Sequence, residues 1–134
     1  MPLEDALTTR PEILELHHAS ILVADTERAL RFFRDLLGLE VIPERPDLGY
    51  PGAWLRVGRG QVHLLELPNP DPVEGRPSHG GRDRHLAMTV ADLGPLTVCL
   101  DAAEVSYTLS RSGRRALFCR DPDGNALELI EARP

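Results

Sequence analysis

The sequence contains no lysine, so arginine supplies all 15 positive charges, and 21 acidic residues bring the net charge to −6. Such a chain has no basic surface for a nucleic acid, and we expect no nucleic-acid partner. No apolar run approaches the roughly 18 residues needed to span a bilayer, and residues 1–10 lack the apolar core of a signal peptide. We therefore expect a cytoplasmic protein that does not enter the membrane.

Cysteine is also scarce. The only two, Cys99 and Cys119, lie in apolar surroundings and are too few for a disulfide framework. Both are predicted to be core thiols in a reducing compartment. At 134 residues the chain is long enough for one domain with its own hydrophobic core.

The most informative stretch lies near the C-terminus, where Asp121-Pro-Asp-Gly-Asn125 predicts a tight turn before a strand, with the Asp side chains bonded to nearby backbone groups. Glu128 lies in the middle of that strand, among aliphatic neighbours. Strand side chains alternate in direction, so Glu128 shares a face with Ala126 and Ile130. A carboxylate in this position must be solvated, paired or metal-bound, because burying it alone is costly. The simpler alternative is a half-exposed edge strand.

The chain also contains an internal repeat. His18-Ala-Ser-Ile-Leu-Val-Ala-Asp25 matches His85-Leu-Ala-Met-Thr-Val-Ala-Asp92, and His63-Leu-Leu-Glu66 matches Glu128-Leu-Ile-Glu131. A repeat of this kind predicts two similar units related by pseudo-symmetry. Equivalent positions are then held by His18 with His85, and by His63 with Glu128. All four side chains are of types that bind metals.

Hydrophobic periodicity predicts an α+β fold in which a single domain at 14–131 follows an N-terminal tail at 1–13. Two β-α-β-β-β units, at 14–67 and 85–131, flank a Pro- and Gly-rich linker at 68–84. In the first unit we predict a strand at 14–24, a helix at 26–37 capped by Asp25, and strands at 39–43, 53–57 and 61–67. In the second we predict a strand at 84–91, a helix at 93–103, and strands at 105–109, 116–120 and 126–131. The units are expected to form a curved mixed sheet with helices on its outer face and a cavity on its open face.

Three imidazoles and one carboxylate suit Zn, Ni, Co or Fe far better than Ca or Mg. His18, His63, His85 and Glu128 would then hold one divalent metal ion per site. Without His63, the remaining two histidines and one carboxylate form the set associated with Fe(II) and oxygen chemistry. His63 would in that case be an acid or base beside the metal. The alternative for each histidine is a packing role in the core.

Several other residues carry weaker predictions. His17 is expected at the surface or in packing, and His79 in a solvated linker that could act as a lid. Glu66 and Glu131 lie three residues beyond proposed ligands and are expected to be solvent-exposed on the opposite face. Six residues could line a pocket for an anionic or aromatic ligand, unless the arginines merely occupy surface turns: Tyr50, Trp54, Arg56, Arg111, Arg114 and Arg115.

Together, the two units, the opening His18–Asp25 motif, the Phe32-Phe-Arg-Asp-Leu-Leu-Gly-Leu39 run and the closing turn with Glu128 resemble the vicinal oxygen chelate superfamily. That superfamily includes glyoxalase I, bleomycin-resistance proteins, fosfomycin-resistance enzymes, methylmalonyl-CoA epimerase and extradiol dioxygenases. The resemblance covers about residues 14–131 and implies the glyoxalase/bleomycin-resistance/dioxygenase fold. Because a fold hosts several chemistries, it does not by itself assign a reaction.

The resemblance places the superfamily's metal ligands on His18, His63, His85 and Glu128. Glyoxalase I usually has a carboxylate at the position of His63, so the chain departs from that enzyme at one ligand. The fosfomycin-resistance and extradiol types use only the equivalents of His18, His85 and Glu128. Glu128 is left as the expected base for moving a proton between adjacent carbons.

The first functional hypothesis is a glyoxalase-like lyase or isomerase whose small substrate chelates the metal through vicinal oxygens. The second is an extradiol-type dioxygenase with a two-His-one-carboxylate Fe(II) site. A third, from another class, is a bleomycin-resistance-type protein that binds a drug without catalysis. The resemblance also implies a homodimer, with sites formed either within one chain or across two. The substrate, the metal and any need for glutathione stay open.

Overall fold

The structure is a computed structural model that describes residues 2–8 and 10–132. Its helices and strands, in chain order, are α1 (Leu3–Ala6), β1 (His18–Leu22), α2 (Thr26–Leu30), β2 (Glu40–Val41), β3 (Gly52–Val57), β4 (Gly60–Leu65), β5 (His85–Val90), α3 (Leu93–Ala102), β6 (Tyr107–Leu109), β7 (Ala116–Arg120) and β8 (Ala126–Glu131). A π-helical segment (Arg31–Leu36) continues α2, and a short 3₁₀ turn (Gly80–Arg82) precedes β5. After α1, the chain consists of two consecutive β-α-β-β-β units.

The strands form two four-stranded sheets of identical topology, β1-β4-β3-β2 and β5-β8-β7-β6. In each sheet the first strand of the unit pairs in parallel with the last, and the remaining pairs are antiparallel. Each sheet is therefore mixed, and β1 and β5 are edge strands. The predicted α+β fold of two β-α-β-β-β units is confirmed.

One hydrophobic core joins the two units. Its most deeply buried side chains come from both sheets and from α3 and the π-helical segment: Phe33, Leu55, Leu64, Leu100, Leu117 and Leu127. Alternation along the strands explains the pattern, since Leu64 and Leu127 turn towards the core. The neighbouring residues His63 and Glu128 consequently point to the opposite face of each sheet.

Both main helices begin at an aspartate. The predicted cap Asp25 accepts a hydrogen bond from the Glu27 amide at 3.1 Å, and Asp92 accepts one from the Gly94 amide at 2.8 Å. The predicted exposure of Glu66 and Glu131 is wrong. Glu66 Oε1 accepts from the Thr26 amide at 2.7 Å, and Glu131 Oε2 from the Leu93 amide at 3.0 Å. Each carboxylate satisfies a free amide at the positive end of its own unit's helix.

Two boundaries differ from the sequence prediction. The first strand is shorter than 14–24, because β4 begins at Gly60 and, among the described residues, those before His17 have no partner strand. Ile13, Leu14 and Leu16 in that segment are 81–94% exposed. The helix predicted at 26–37 is present, but its second half is π-helical.

The prediction for the cysteines is half right. Cys119 is buried, and burial raises the pKa of its thiol to about 12. Cys99 is exposed, because α3 turns Leu96 and Leu100 towards the core and Cys99 away from it.

Candidate metal centre

The first unit brings His18 and His63 together. His63 lies opposite Ser20 in the parallel β1–β4 pair, two residues beyond His18, so both rings occupy one face of the sheet. The rings stack with their centroids 3.9 Å apart. Trp54, directly opposite His63 on β3, covers its other face at 4.4 Å. His63 is thus sandwiched between two aromatic rings.

This enclosure determines the charge of His63. The side chain is buried, and desolvation followed by the nearby His18 lowers the pKa of His63 to about 4. Its Nε2 lies 2.7 Å from Gln61 Oε1. His63 is therefore neutral at physiological pH, which is the form of imidazole that binds metals.

The second unit repeats this geometry with other residues. Glu128 lies opposite Ala87, two residues beyond His85, in the parallel β5–β8 pair. His85 Nε2 is 3.5 Å from Glu128 Oε1. Phe118, opposite Glu128 on β7, takes the place of Trp54 and meets the His85 ring edge-on at 5.1 Å. The repeat seen in the sequence is therefore also a repeat of side-chain positions.

Glu128 is almost fully buried, at 3% exposure, yet its contacts are long. Besides the contact with His85, Glu128 makes one ion pair within residues 2–8 and 10–132. Its partner is Arg114, whose Nε is 3.7 Å from Glu128 Oε2. Both distances exceed the roughly 2.7–2.9 Å of a charge-assisted hydrogen bond. A buried carboxylate with such weak partners retains the capacity to bind a cation.

A network at the end of the linker orients His85. The His85 Nδ1 atom lies 2.9 Å from the Asp83 carbonyl oxygen, within hydrogen-bonding distance. The Asp83 carboxylate is held by Arg76 at 2.8 and 2.9 Å and by Arg120 at 2.8 Å. The Arg76 guanidinium keeps the pKa of Asp83 well below its usual range. When Nδ1 donates to this carbonyl, Nε2 is left free on the side of Glu128.

The four predicted ligands fall into two pairs. Among residues 2–8 and 10–132, no three His, Cys, Asp or Glu side chains come close enough to hold one metal ion. His18 lies with His63, and His85 lies with Glu128. As donors, three imidazoles and a carboxylate still fit a borderline divalent metal such as Zn, Ni, Co or Fe.

A cavity of about 450 Å³ opens beside the second pair. His85, Glu128 and Phe118 line it together with His79, which the sequence placed in a solvated linker. The His79 Nδ1 atom is 2.7 Å from Thr108 Oγ1, and its ring meets Phe118 edge-on at 5.0 Å. Only tertiary folding reveals this position, because Thr108 and Phe118 belong to β6 and β7, far along the chain.

Other predicted pocket residues are divided between the two units. Trp54 belongs to the first pair, while Arg111 and Arg114 line the cavity of the second. Arg115 instead pairs with Glu131 at 2.6 Å. His17 is exposed, and its Nδ1 lies 2.9 Å from that of His18.

The closing turn has the predicted side-chain-to-backbone bonds and also joins the two units. Asp121 Oδ1 accepts from the amides of Asp123 and Asn125, at 2.9 and 2.8 Å. Burial raises the pKa of Asp121 to about 6, against the lowering effect of these bonds. Asp123 Oδ1 then accepts from the Ala24 amide, and Asn125 Nδ2 donates to the Leu22 carbonyl. The turn before Glu128 thus fixes the second unit against the end of β1.

Comparison with known proteins agrees with this architecture. The family model of the Glyoxalase/Bleomycin resistance protein/Dioxygenase superfamily matches residues 15–129. The chain belongs to this superfamily, as its motifs indicated. Members commonly use a divalent metal and bind small molecules.

Individual relatives are distant. A protein of Arabidopsis thaliana described as Glyoxylase I 4 is 27% identical over 123 residues, covering 87% of this chain and 70% of that protein. The Escherichia coli (strain K12) protein YaeR, itself uncharacterized, is 31% identical over 125 residues, covering 87% of this chain and 95% of its own. The fosfomycin resistance protein FosX from Listeria monocytogenes has a TM-score of 0.71 at 17% identity, covering 91% of this chain and 94% of that chain. At that identity the likeness shows the fold alone.

The helices in the described part of the chain are too short or too polar to cross a bilayer.

Proposed function

We propose that this protein is a divalent-metal-dependent enzyme, a glyoxalase-like lyase or isomerase acting on a small substrate that chelates the metal through vicinal oxygens. The observation that carries the proposal is the buried, weakly partnered carboxylate of Glu128 beside His85 at an open cavity. The similarity to a protein described as Glyoxylase I 4 supports this class of reaction.

Glu128 is the proposed proton carrier. Its carboxylate lies at the cavity wall, where it can take a proton from one carbon of the substrate and return it to the next. A bound metal supplies a Lewis acid that stabilises negative charge on a substrate oxygen. Phe118 excludes water from one side of this position, and Asp83 holds the His85 ring in place.

We propose further that the complete ligand set forms across a homodimer, with His18 and His63 from one chain and His85 and Glu128 from the other. Each pair is incomplete within its own chain. The edge strand β1 is preceded by the exposed apolar residues Ile13, Leu14 and Leu16, which a second chain would cover. Two equivalent sites would then follow from two-fold symmetry.

The first experiment measures metal content, by elemental analysis, in protein purified without a His tag and then reconstituted. We expect about one Zn, Ni, Co or Fe ion per chain, the single site of this fold. His85→Ala and Glu128→Gln should lose the metal while keeping their circular dichroism spectra. His79→Ala, which removes an imidazole from the same cavity, should retain it. Full occupancy in the first two variants would disprove the site.

The metal recovered also separates the alternatives. Fe, with ring cleavage of a catechol, would move the assignment to the extradiol-type dioxygenase. Zn, Ni or Co, with turnover of a thiol hemithioacetal, supports the lyase or isomerase. Failure to bind any metal after reconstitution would instead favour a drug-binding protein without catalysis.

The shared site has its own test, a mixture of two inactive chains. One carries His18→Ala with His63→Ala, and the other carries His85→Ala with Glu128→Gln. After mixed refolding, cross-chain sites should restore about a quarter of the wild-type metal content, since half of random dimers are mixed and each has one intact site. Sites within one chain would restore none, which would refute the shared arrangement.

A further inference from the structure

The cavity beside His85 and Glu128 contains arginines without partners. Arg82 enters from the 3₁₀ turn before β5, and Arg111 from the loop between β6 and β7. Neither guanidinium makes a hydrogen bond or an ion pair with any residue in the ranges 2–8 and 10–132. Arg114, the third arginine of the cavity wall, has only the long contact with Glu128. The cavity therefore carries an excess of positive charge.

The neighbouring cavity does not share this excess. A second cavity, of about 400 Å³, also borders His85, but its arginines are neutralised: Arg76 binds Asp83 and Arg84 binds Asp71 at 2.6 Å. The chain has 21 acidic residues against 15 arginines, so partners are not in short supply. Of these two cavities that border His85, the one lined by Glu128 is therefore the one with unpaired arginines.

The loop that carries Arg111 has a defined shape. The Ser110 amide donates to the Ala116 carbonyl at 2.9 Å, closing the loop. The Ser110 and Ser112 hydroxyls lie 2.8 Å apart, and the Ser112 amide donates to Ser110 Oγ at 3.2 Å. Gly113, at φ +90°, makes the reversal that other residues rarely adopt. Arg111 is held at the tip of this loop rather than on an unstructured segment.

We infer that the substrate carries an anionic group, a carboxylate or a phosphoryl group, that is bound by Arg82 and Arg111 while its vicinal oxygens reach the metal. This rests on the proposed function, whose site it extends. Guanidinium groups present paired N–H donors that match both kinds of oxyanion. An anchor of this kind would fix the orientation of a small substrate relative to Glu128.

The test uses inorganic phosphate and acetate as probes, titrated into the metal-free full-length protein and followed by amide NMR shifts. Phosphate should move the signals of Arg82, Ser112 and Gly113. Arg82→Gln with Arg111→Gln should weaken phosphate binding about fivefold, since exposed ion pairs are individually modest. Arg59→Gln is the matched control, because Arg59 lies on the β3–β4 turn with a side chain that is 92% exposed.

Either probe can support the inference, and the stronger binder identifies the group, phosphoryl or carboxylate. Equal phosphate affinity in the wild type and the double variant would overturn it, as would an equal loss in Arg59→Gln. Metal content, measured after reconstitution of the same preparations, should be unchanged in the double variant. A wild-type protein that binds phosphate through Arg82 and Arg111 but takes up no metal would refute the proposed function while leaving the anion site in place.

Discussion

The two halves of this molecule share one framework and carry different chemistry. In each, a histidine on the first strand meets a ligand-type side chain on the last strand, and an aromatic residue on the neighbouring strand packs against the pair. In the first pair, His18 stacks on His63, and Trp54 covers the other face of the buried His63 ring. The second, His85 with Glu128, is surrounded by arginines and opens into a cavity. Backbone register can thus be preserved in a repeat while its two sites diverge.

The difference also extends to how the leading histidine is held. His85 is positioned through Asp83, whose carboxylate binds two arginines. His18 Nδ1 instead lies 2.9 Å from Nδ1 of its exposed neighbour His17. The second half therefore has the more polar site, and its leading histidine is tied to a charged network.

The largest effect is expected from Asp83→Asn, which removes the charge that pairs Arg76 and Arg120. The Asp83 side chain is 8% exposed. The change should lower the free energy of unfolding by about 2 kcal/mol, which lies between the effects of breaking an exposed ion pair and a buried one. Metal affinity should fall about tenfold, because the arginine pairs no longer fix the Asp83 backbone, whose carbonyl oxygen holds His85 Nδ1. Urea unfolding and metal titration measure the two effects.

Asp35→Asn is the control, since Asp35 pairs with Arg34 on the exposed surface. It should change neither quantity measurably. If Asp83→Asn behaved like this control, the second half would not depend on the network around His85.

The next effect is a pH dependence of opposite sign in the two halves of the metal-free protein. His63 has a pKa of about 4 against 6.5 for the free group, so the unfolded chain takes up its proton first and stability falls as pH drops from 6.5 to 4. Asp121 has a pKa of about 6 against 3.8, so the folded chain keeps its proton longer and stability falls as pH rises from 3.8 to 6. Each change alone is at most about 3 kcal/mol, but the two oppose each other between pH 4 and 6, so the net change in the wild type is about 1 kcal/mol or less.

Urea unfolding across this pH range separates the two contributions. His63→Gln should reduce the loss of stability on the acid side, and Asp121→Asn should remove the opposing loss as pH rises. Parallel pH profiles for the wild type and both variants would show that burial shifts the pKa of neither His63 nor Asp121.

The smallest effect is expected where the halves are alike. Glu66→Gln and Glu131→Gln each weaken the charged contact that a carboxylate makes with the first amide of a helix. Both should lower the melting temperature slightly, by less than Asp83→Asn, as seen by differential scanning calorimetry. Glu131→Gln also weakens the pair with Arg115, so it should have the slightly larger effect of the two. A larger loss in Glu66→Gln would show that the helix contacts are not equivalent.

Much of the fold followed from local patterns. Alternation placed Leu64 and Leu127 in the core and put His63 and Glu128 on the other face, while Asp25 and the closing turn matched their expected backbone bonds. Errors arose where partners are remote. Glu66 and Glu131 reach helix ends about 40 residues away, and His79 lies against Thr108. None of these three contacts leaves a signal in the local sequence. The first strand was overextended because its apolar pattern continues past the start of its partner β4.

The sequence by itself determined the repeat, the element order and the types of the four candidate ligands, because these depend on periodicity and side-chain chemistry within short windows. Only the tertiary structure decided that the ligands form two separate pairs, that Asp83 orients His85, and that Arg82 and Arg111 meet at one cavity. Those outcomes depend on how the strands and loops pack in space, where residues far apart in sequence become neighbours.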